Sequence, residues 1–313
     1  MPRRKKGRAI DGWLVIDKPA GMGSTEVVSK ARWALQARKA GHAGTLDPLA
    51  TGVLAVAFGE ATKTVPYAQD GLKTYHFTVK WGEARDSDDA DGEIVAQSDA
   101  RPSEAEIDAA LPRFEGQIQQ RPPAFSAVKI DGERAYDLAR DGAAPELATR
   151  PIWVERLRRM ETLDADHTVF EMSCGKGGYV RAIARDLGVQ LGCHGHVTAL
   201  RRVSAGPFAL DRAISIEMLE EMRDSDGADD RLLPVAAGLD DIPAMAVDGG
   251  AAAQIRQGRA TPVVGALAGA DLSYGDAVWT SHGGEPVAIG VYKAGSFHPT
   301  RVFASPQQGE ARS

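Results

Sequence analysis

One carboxylate is held in a loop that leaves it little freedom. Asp47 stands in the run Gly41-His42-Ala43-Gly44-Thr45-Leu46-Asp47-Pro48-Leu49-Ala50-Thr51-Gly52. Gly41, Gly44 and Gly52 permit backbone angles that other residues resist, and Pro48 pushes Asp47 out of the α region into an extended conformation. Such a loop fixes the attitude of one acidic side chain and puts little bulk in the way of a ligand. An aspartate held like this can act as a nucleophile. A lone Asp-Pro more commonly marks a turn in which the aspartate bonds its own backbone. The whole string is more particular than a turn requires.

Other residues invite chemistry, each with a plainer reading beside it. Arg181 closes the run Lys176-Gly177-Gly178-Tyr179-Val180-Arg181 at the start of a helix, where an isolated arginine is usually a surface charge. An arginine near a carboxylate keeps it ionised and still, by charge pairing and bidentate bonding. Tyr75 follows Lys73-Thr74 and alternates with Phe77 and Val79, as a packed strand residue would. Lys18, in Asp17-Lys18-Pro19, reads by itself as an exposed lysine, and His42 as a hydrogen-bonded loop histidine. Cys193-His194-Gly195-His196 lacks a second ligand pair at a recognised spacing, so no metal is expected. Gly21-Met22-Gly23 has Glu26 where a dinucleotide fingerprint needs its third glycine, and no P-loop occurs.

The loop from Gly41 to Gly52 resembles the catalytic-aspartate motif of the TruB family of bacterial tRNA pseudouridine synthases. Further matches follow in the family's order: Asp17-Lys18-Pro19, Lys73-Thr74-Tyr75, Lys176 to Arg181, and the stretch through Cys193, His196 and Ala199-Leu200-Arg201-Arg202. Together they cover about residues 10 to 205 and weaken from 206 onward. The resemblance implies that a uridine in the T-loop of tRNA, position 55, is detached from its ribose, turned and reattached through carbon. It assigns Asp47 as nucleophile, Arg181 as its partner, and Tyr75 to stacking and proton transfer, so these three form the expected catalytic set. Lys18, His42, Tyr179, Leu200, Arg201 and Arg202 fall to substrate binding. Among them, His42 would fill the gap left by an extruded base, Leu200 would line the pocket, and Arg201 and Arg202 would meet phosphates. No cofactor and no metal are implied. Two other readings stay open: a related synthase acting on another RNA, and a non-catalytic RNA-binding or tRNA-folding factor.

These residues need elements to hold them. Gly12 to Pro19 reads as a short buried strand stopped by proline. Ser24 is placed to cap a helix with Val27, Val28, Ala31, Ala34 and Leu35 on one face. Val53 to Phe58 is a continuous apolar strand, and Gly59 to Lys63 opens a short helix. Leu72 to Trp81 alternates, with Tyr75, Phe77, Val79 and Trp81 inward. The acidic stretch Glu83 to Glu93 reads as a solvated loop. A capping box at Ser103-Glu106 precedes another helix. A short helix is expected over Glu133 to Arg140, strands over Ile152 to Met160, Thr168 to Cys174 and His196 to Val203, and a helix striped by Val180, Ile183, Ala184 and Leu187 and closed by Gly188. Antiparallel-looking strands broken by single helices indicate an α+β fold with a mixed, mostly antiparallel sheet.

The chain of 313 residues, 43% hydrophobic and 26% charged, has ample apolar material for a core. Its expected division is a basic tail over 1–9, a catalytic domain over 10–235 and a small glycine-broken β domain over 240–305. The resemblance places a PUA-like RNA-binding module in that last position. No apolar run is long enough to span a membrane, no signal-type segment follows the basic tail, and two cysteines suit a reducing cytoplasm. The net charge of −6 leaves room for a tRNA partner because the basic residues are segregated from the acidic ones. A monomer binding the T-arm stem-loop is the expected assembly.

Overall fold

A computed structural model of the chain describes residues 7–126, 128–130, 132–135, 138, 147–224, 227–263 and 272–304. The expected helix over Glu133 to Arg140 is not borne out at its start, where Glu133–Arg134 pair as a short strand with Lys129–Ile130; residues 136, 137, 139 and 140 and most of the basic tail lie outside the described residues.

The larger part is built on one mixed sheet. In chain order its strands are β1 (Gly12–Lys18), β2 (Ala40–His42), β3 (Thr51–Phe58), β4 (Lys73–Trp81), β5 (Gly116–Gln120), β6 (Arg150–Thr162), β7 (His167–Cys174), β8 (Gly195–Ala205) and β9 (Phe208–Ala209). They lie in the order β1-β3-β8-β4-β7-β6-β5, with β2 on β3 and β9 on β8. Every pairing is antiparallel except β8 with β3, which run parallel through Arg201–Thr51 and Arg202–Gly52. The fold is α+β, as the alternation of strands and single helices indicates.

Burial follows the sequence pattern closely. On β4, Tyr75, Phe77, Val79 and Trp81 point into a core shared with helix α3 (Val180–Gln190), while Thr74, His76, Thr78 and Lys80 face outward. β1 and β3 are covered on both faces, which explains their unbroken apolar runs. Leu14, Ile16, Leu54 and Val56 pack under helix α1 (Ser24–Ala34), and Trp13, Val15, Val53 and Ala55 form a second cluster on the other side. The capping box forms at helix α2 (Glu104–Ala110), where Ser103 accepts from the Glu106 N–H and the Glu106 carboxylate accepts from the Ser103 N–H.

A second sheet of five strands spans Ala244 to Val302, with helix α4 (Gly249–Arg256) against it. It is tied to the turn after β3: Lys63 Nζ donates to the Val302 carbonyl (2.8 Å) and the Ala304 N–H donates to Glu60 Oε2 (2.7 Å).

Two expectations at helix ends need correction. Ser24 is the first residue of α1 rather than its cap, because Gly23 takes the extended position before the helix. The Ser24 hydroxyl instead donates to the Leu46 carbonyl and accepts from the Leu46 N–H, both at 2.8 Å, fastening α1 to the Asp47 loop. Gly188 does not end α3, which runs to Gln190. It is glycine because a Cβ there would sit 2.3 Å from the Gly195 nitrogen of the strand that follows.

Gly52 joins the loop to β3 at φ +99°, beside the parallel seam. A Cβ there would lie 2.2 Å from the Arg202 carbonyl oxygen, a backbone atom that cannot swing away. Gly52→Ala therefore combines a left-handed φ with a hard clash and is expected to cost about 3 kcal/mol or more. In a thermal melt this should lower Tm by roughly 5–10 °C; an unchanged Tm would show that the seam relaxes.

Candidate active site

The Asp47 loop is held from below by two buried cations. Lys18, at the end of β1, is 0% exposed, so the reading of it as an exposed lysine is wrong. Its ammonium donates to the carbonyls of Pro19 (2.9 Å), Met22 (2.6 Å) and Pro48 (3.1 Å), the last being the residue next to Asp47. Burial lowers the Lys18 pKa to about 8, against the pull of the Asp47 carboxylate and with help from Arg202. Arg202 is 1% exposed. Its guanidinium donates to the carbonyls of Val53 (2.7 Å), Gly44 (3.1 Å) and Thr45 (3.4 Å), gripping the loop on both flanks. The expectation that Arg202 meets a phosphate is thereby corrected: its side chain is spent on backbone carbonyls inside the protein. Arg201 points the other way, forks onto Asp17 (3.0 and 2.7 Å) and stays partly exposed.

Above the loop, Asp47 meets Arg181. Arg181 Nη2 lies 2.8 Å from Asp47 Oδ2, and its Nη1 3.3 Å from Asp89 Oδ2. The same guanidinium donates to the carbonyls of Ser87 and Phe125, each at 2.8 Å. The Asp47 side chain keeps 34% of its surface exposed, against 4% for Arg181. The arrangement presents one carboxylate while its partner is fixed by several acceptors.

Arg181 is itself placed by the start of α3. Tyr179 takes the extended position before the helix, and Gln120, buried at the end of β5, pairs with it in both directions. Gln120 Nε2 donates to the Tyr179 carbonyl (3.0 Å) and the Tyr179 N–H donates to Gln120 Oε1 (2.9 Å). Arg150 stacks over the Tyr179 ring with its guanidinium carbon 5.1 Å from the ring centre, and donates to the Gly177 carbonyl (2.7 Å).

A cleft of about 460 Å³ opens beside Asp47 and Arg181, walled by Pro48, Leu49, Asp89 and Phe125. The acidic stretch is part of that wall, and its centre corrects the reading as a solvated loop, while Asp86, Asp91 and Glu93 stay exposed. Ser87, Asp88 and Asp89 are buried, and arginines of α3 neutralise the two carboxylates: Asp89 meets Arg181, and Asp88 meets Arg185 at 2.8 Å. Burial pushes the Asp88 carboxyl up to about 6, opposed by Arg185 and then Arg181. Burial also raises Asp89, opposed by its bond from Ser87 and by Arg181.

Tyr75 and Leu200 lie in the apolar floor, buried in one cluster with Leu46 and Ala50 of the loop. Burial raises the Tyr75 pKa, opposed by Arg202, so the phenol keeps its proton at neutral pH. His42 is partly buried at the start of the loop, with Nδ1 shielded and unbonded among the described residues. Burial, then Arg202, lowers its pKa and leaves the imidazole neutral. The structure thus gathers Asp47, Arg181, Tyr75, Lys18, Leu200 and Arg202 around one loop. Reasoning from sequence missed Asp89, Gln120, Phe125 and Arg185, although Arg185 stands four residues after Arg181, one helical turn away. Among the described residues, no group of three or more His, Cys, Asp or Glu is arranged to hold a metal ion, and no helix is long and apolar enough to cross a membrane.

Comparisons with known proteins agree in pointing one way. Residues 32–180 match the family model described as TruB family pseudouridylate synthase (N terminal domain), and residues 181–240 match tRNA pseudouridylate synthase B C-terminal domain. A protein named tRNA pseudouridine synthase B from Cereibacter sphaeroides is 57% identical over 303 residues, covering 97% of this chain and 99% of its own length. One of the same name from Ruegeria pomeroyi is 55% identical over 307 residues, covering 98% and 100%. Among solved structures, a Cbf5-Nop10-Gar1 complex contains a chain with TM-score 0.74 and 25% identity, covering 94% of this chain and 84% of that one. The archaeal box H/ACA sRNP Nop10-Cbf5 complex has TM-score 0.75 at 23% identity, covering 99% and 94%, a likeness of fold. With family models spanning most of its length and relatives above half identity end to end, this chain belongs to the TruB family of pseudouridylate synthases.

Proposed function

We propose that the protein converts a uridine of tRNA, the T-loop uridine at position 55, to pseudouridine, with Asp47 as nucleophile. The observation that carries the reading is the Asp47–Arg181 pair at 2.8 Å on the edge of the cleft, with the carboxylate partly open and the guanidinium buried. The isomerisation breaks the bond from N1 to C1′, forms one from C5 to C1′, and exchanges the C5 proton for one on N1. No electrons are gained or lost, so a carboxylate, a cation to steady it and a proton relay are sufficient chemistry. Tyr75 is suited to the relay, since its phenol stays protonated under the loop. A base inside a folded RNA loop has to leave its stack to reach Asp47, and neutral His42 at the entrance of the loop suits the vacated space. Tyr179, Arg201 and the α3 start border the RNA in this reading, while Lys18, Leu200 and Arg202 shape the pocket from beneath. Residues 10–235 form the catalytic unit and 240–305 an RNA-binding module, acting as a monomer in the cytoplasm. The two buried free cysteines fit that compartment.

The test is a T-arm stem-loop RNA and a whole tRNA, each tritiated at C5 of every uridine. Tritium should leave one loop uridine in both. Release only from another RNA would move the substrate, and release from none would leave a binding protein.

A further inference from the structure

Arg181 shares its face of α3 with Arg185, one turn further on. Arg185 Nη1 donates to Asp88 Oδ2 (2.8 Å), its Nη2 to the Arg121 carbonyl (2.7 Å) and its Nε to Asp186 Oδ1 (2.8 Å). Arg181 reaches Ser87 and Asp89 on one side and the Phe125 carbonyl on the other. Both arginines therefore hold the same two segments, 87–89 and 121–125. Those segments supply Ser87, Asp89 and Phe125 to the wall of the cleft that Asp47 enters.

The first segment needs holding. Asp88 has φ +60°, a left-handed conformation uncommon for residues other than glycine. Its carbonyl accepts from the Val197 N–H (3.1 Å), the Ala90 N–H donates to the Val197 carbonyl (2.9 Å) and the Asp88 N–H donates to the Arg85 carbonyl (3.1 Å), while Arg181 bonds the Ser87 carbonyl. The side chain of the left-handed residue itself is held by Arg185, through the Asp88 carboxylate.

We propose that Arg185 is a positioning residue for the reaction: by bonding Asp88 and the Arg121 carbonyl with one guanidinium, it sets the spacing of the two segments and so the aim of Arg181 at Asp47. This rests on the reading of Asp47 and Arg181 given above. A guanidinium suits the task because its planar fork satisfies two acceptors in different directions, whereas an ammonium is a point charge on a flexible stem.

The test uses the full chain and the tritiated T-arm RNA, with Arg185→Met, Arg185→Lys, Asp88→Asn and the double variant Arg185→Met/Asp88→Asn. A misplaced catalytic group costs up to about a hundredfold, so Arg185→Met should lower kcat roughly 10- to 100-fold with KM held within about twofold. Arg185→Lys should recover part of the loss by keeping the Asp88 pair. The double variant should be no worse than Arg185→Met alone, because Arg185→Met has already broken the link that Asp88→Asn weakens. A kcat for Arg185→Met within about twofold of wild type, a loss confined to KM, or independent additive losses would each overturn the proposal. If Arg185→Met does not fold, the lysine variant decides: reduced kcat at native Tm supports the proposal, and wild-type kcat refutes it. Asp47→Asn is run in parallel. Full activity there would fail the underlying reading, whereas an inactive Asp47→Asn beside a fully active Arg185→Met would fail this inference alone.

Discussion

Asp47→Asn is expected to stop tritium release from the T-arm RNA, by at least about a thousandfold in kcat, while the RNA still binds. The substitution keeps the shape of the side chain, and an amide oxygen can still accept from Arg181 Nη2, now 2.8 Å from the carboxylate. Arg181 retains Asp89 as counter-charge and its bonds to Ser87 and Phe125, so the wall of the cleft stays in place. The loop also keeps its anchors on Lys18, Ser24 and Arg202, which bond its backbone and not the Asp47 side chain. Only the nucleophile is removed. Binding measured by filter retention should stay within about twofold, and Tm should barely move. An Asp47→Asn protein keeping more than about a tenth of wild-type kcat would exclude a covalent role for this carboxylate.

The strands and helices around that loop were legible because their signals are local. Alternation at Tyr75, Phe77, Val79 and Trp81 states which face of β4 is buried, and the stripe at Val180, Ile183, Ala184 and Leu187 does the same for α3. The catalytic loop was legible for a different reason, namely that its glycines, proline and aspartate form a string that few other purposes require. What could not be read depends on pairing between distant segments. The resemblance assigns both Arg201 and Arg202 to phosphates, and nothing local says which of the two turns inward. The parallel seam between β8 and β3 sets Arg202 beside Gly52, and alternation then turns its side chain inward while Arg201 turns out to Asp17. Lys18 looked exposed for a similar reason. No local pattern announces that the Pro48 and Met22 carbonyls will converge on the end of β1.

The acidic stretch shows the same limit more sharply. Its carboxylates spell a solvated loop by composition, and burying them without partners would be costly. The partners, Arg181 and Arg185, lie about ninety positions away in sequence and one helical turn apart, so only the fold brings them to Asp89 and Asp88. A charge pattern on a helix is informative once its opposite is known to face it.

Arg181→Met is the second large effect expected, and it differs in kind from the first. Removing the guanidinium takes the arginine partner from the buried Asp89 carboxylate and one donor each from the Ser87 and Phe125 carbonyls. Breaking a buried pair by deleting one partner costs about 3–5 kcal/mol in well-shielded sites. The Asp47 end is partly open to water, so the lower part of that range applies and the protein should remain folded at 25 °C with a clearly reduced Tm. Activity should fall by at least about a hundredfold, because Asp47 loses both its neutralising partner and its fixed direction. Arg181→Lys separates the two losses. A lysine restores a positive charge near Asp47 but cannot satisfy two carboxylates and two carbonyls at once. Stability should recover most of the way while kcat stays at least about tenfold below wild type. If lysine restored full activity, charge alone would be the requirement, and the four acceptors around Arg181 would serve folding rather than the aim of Asp47.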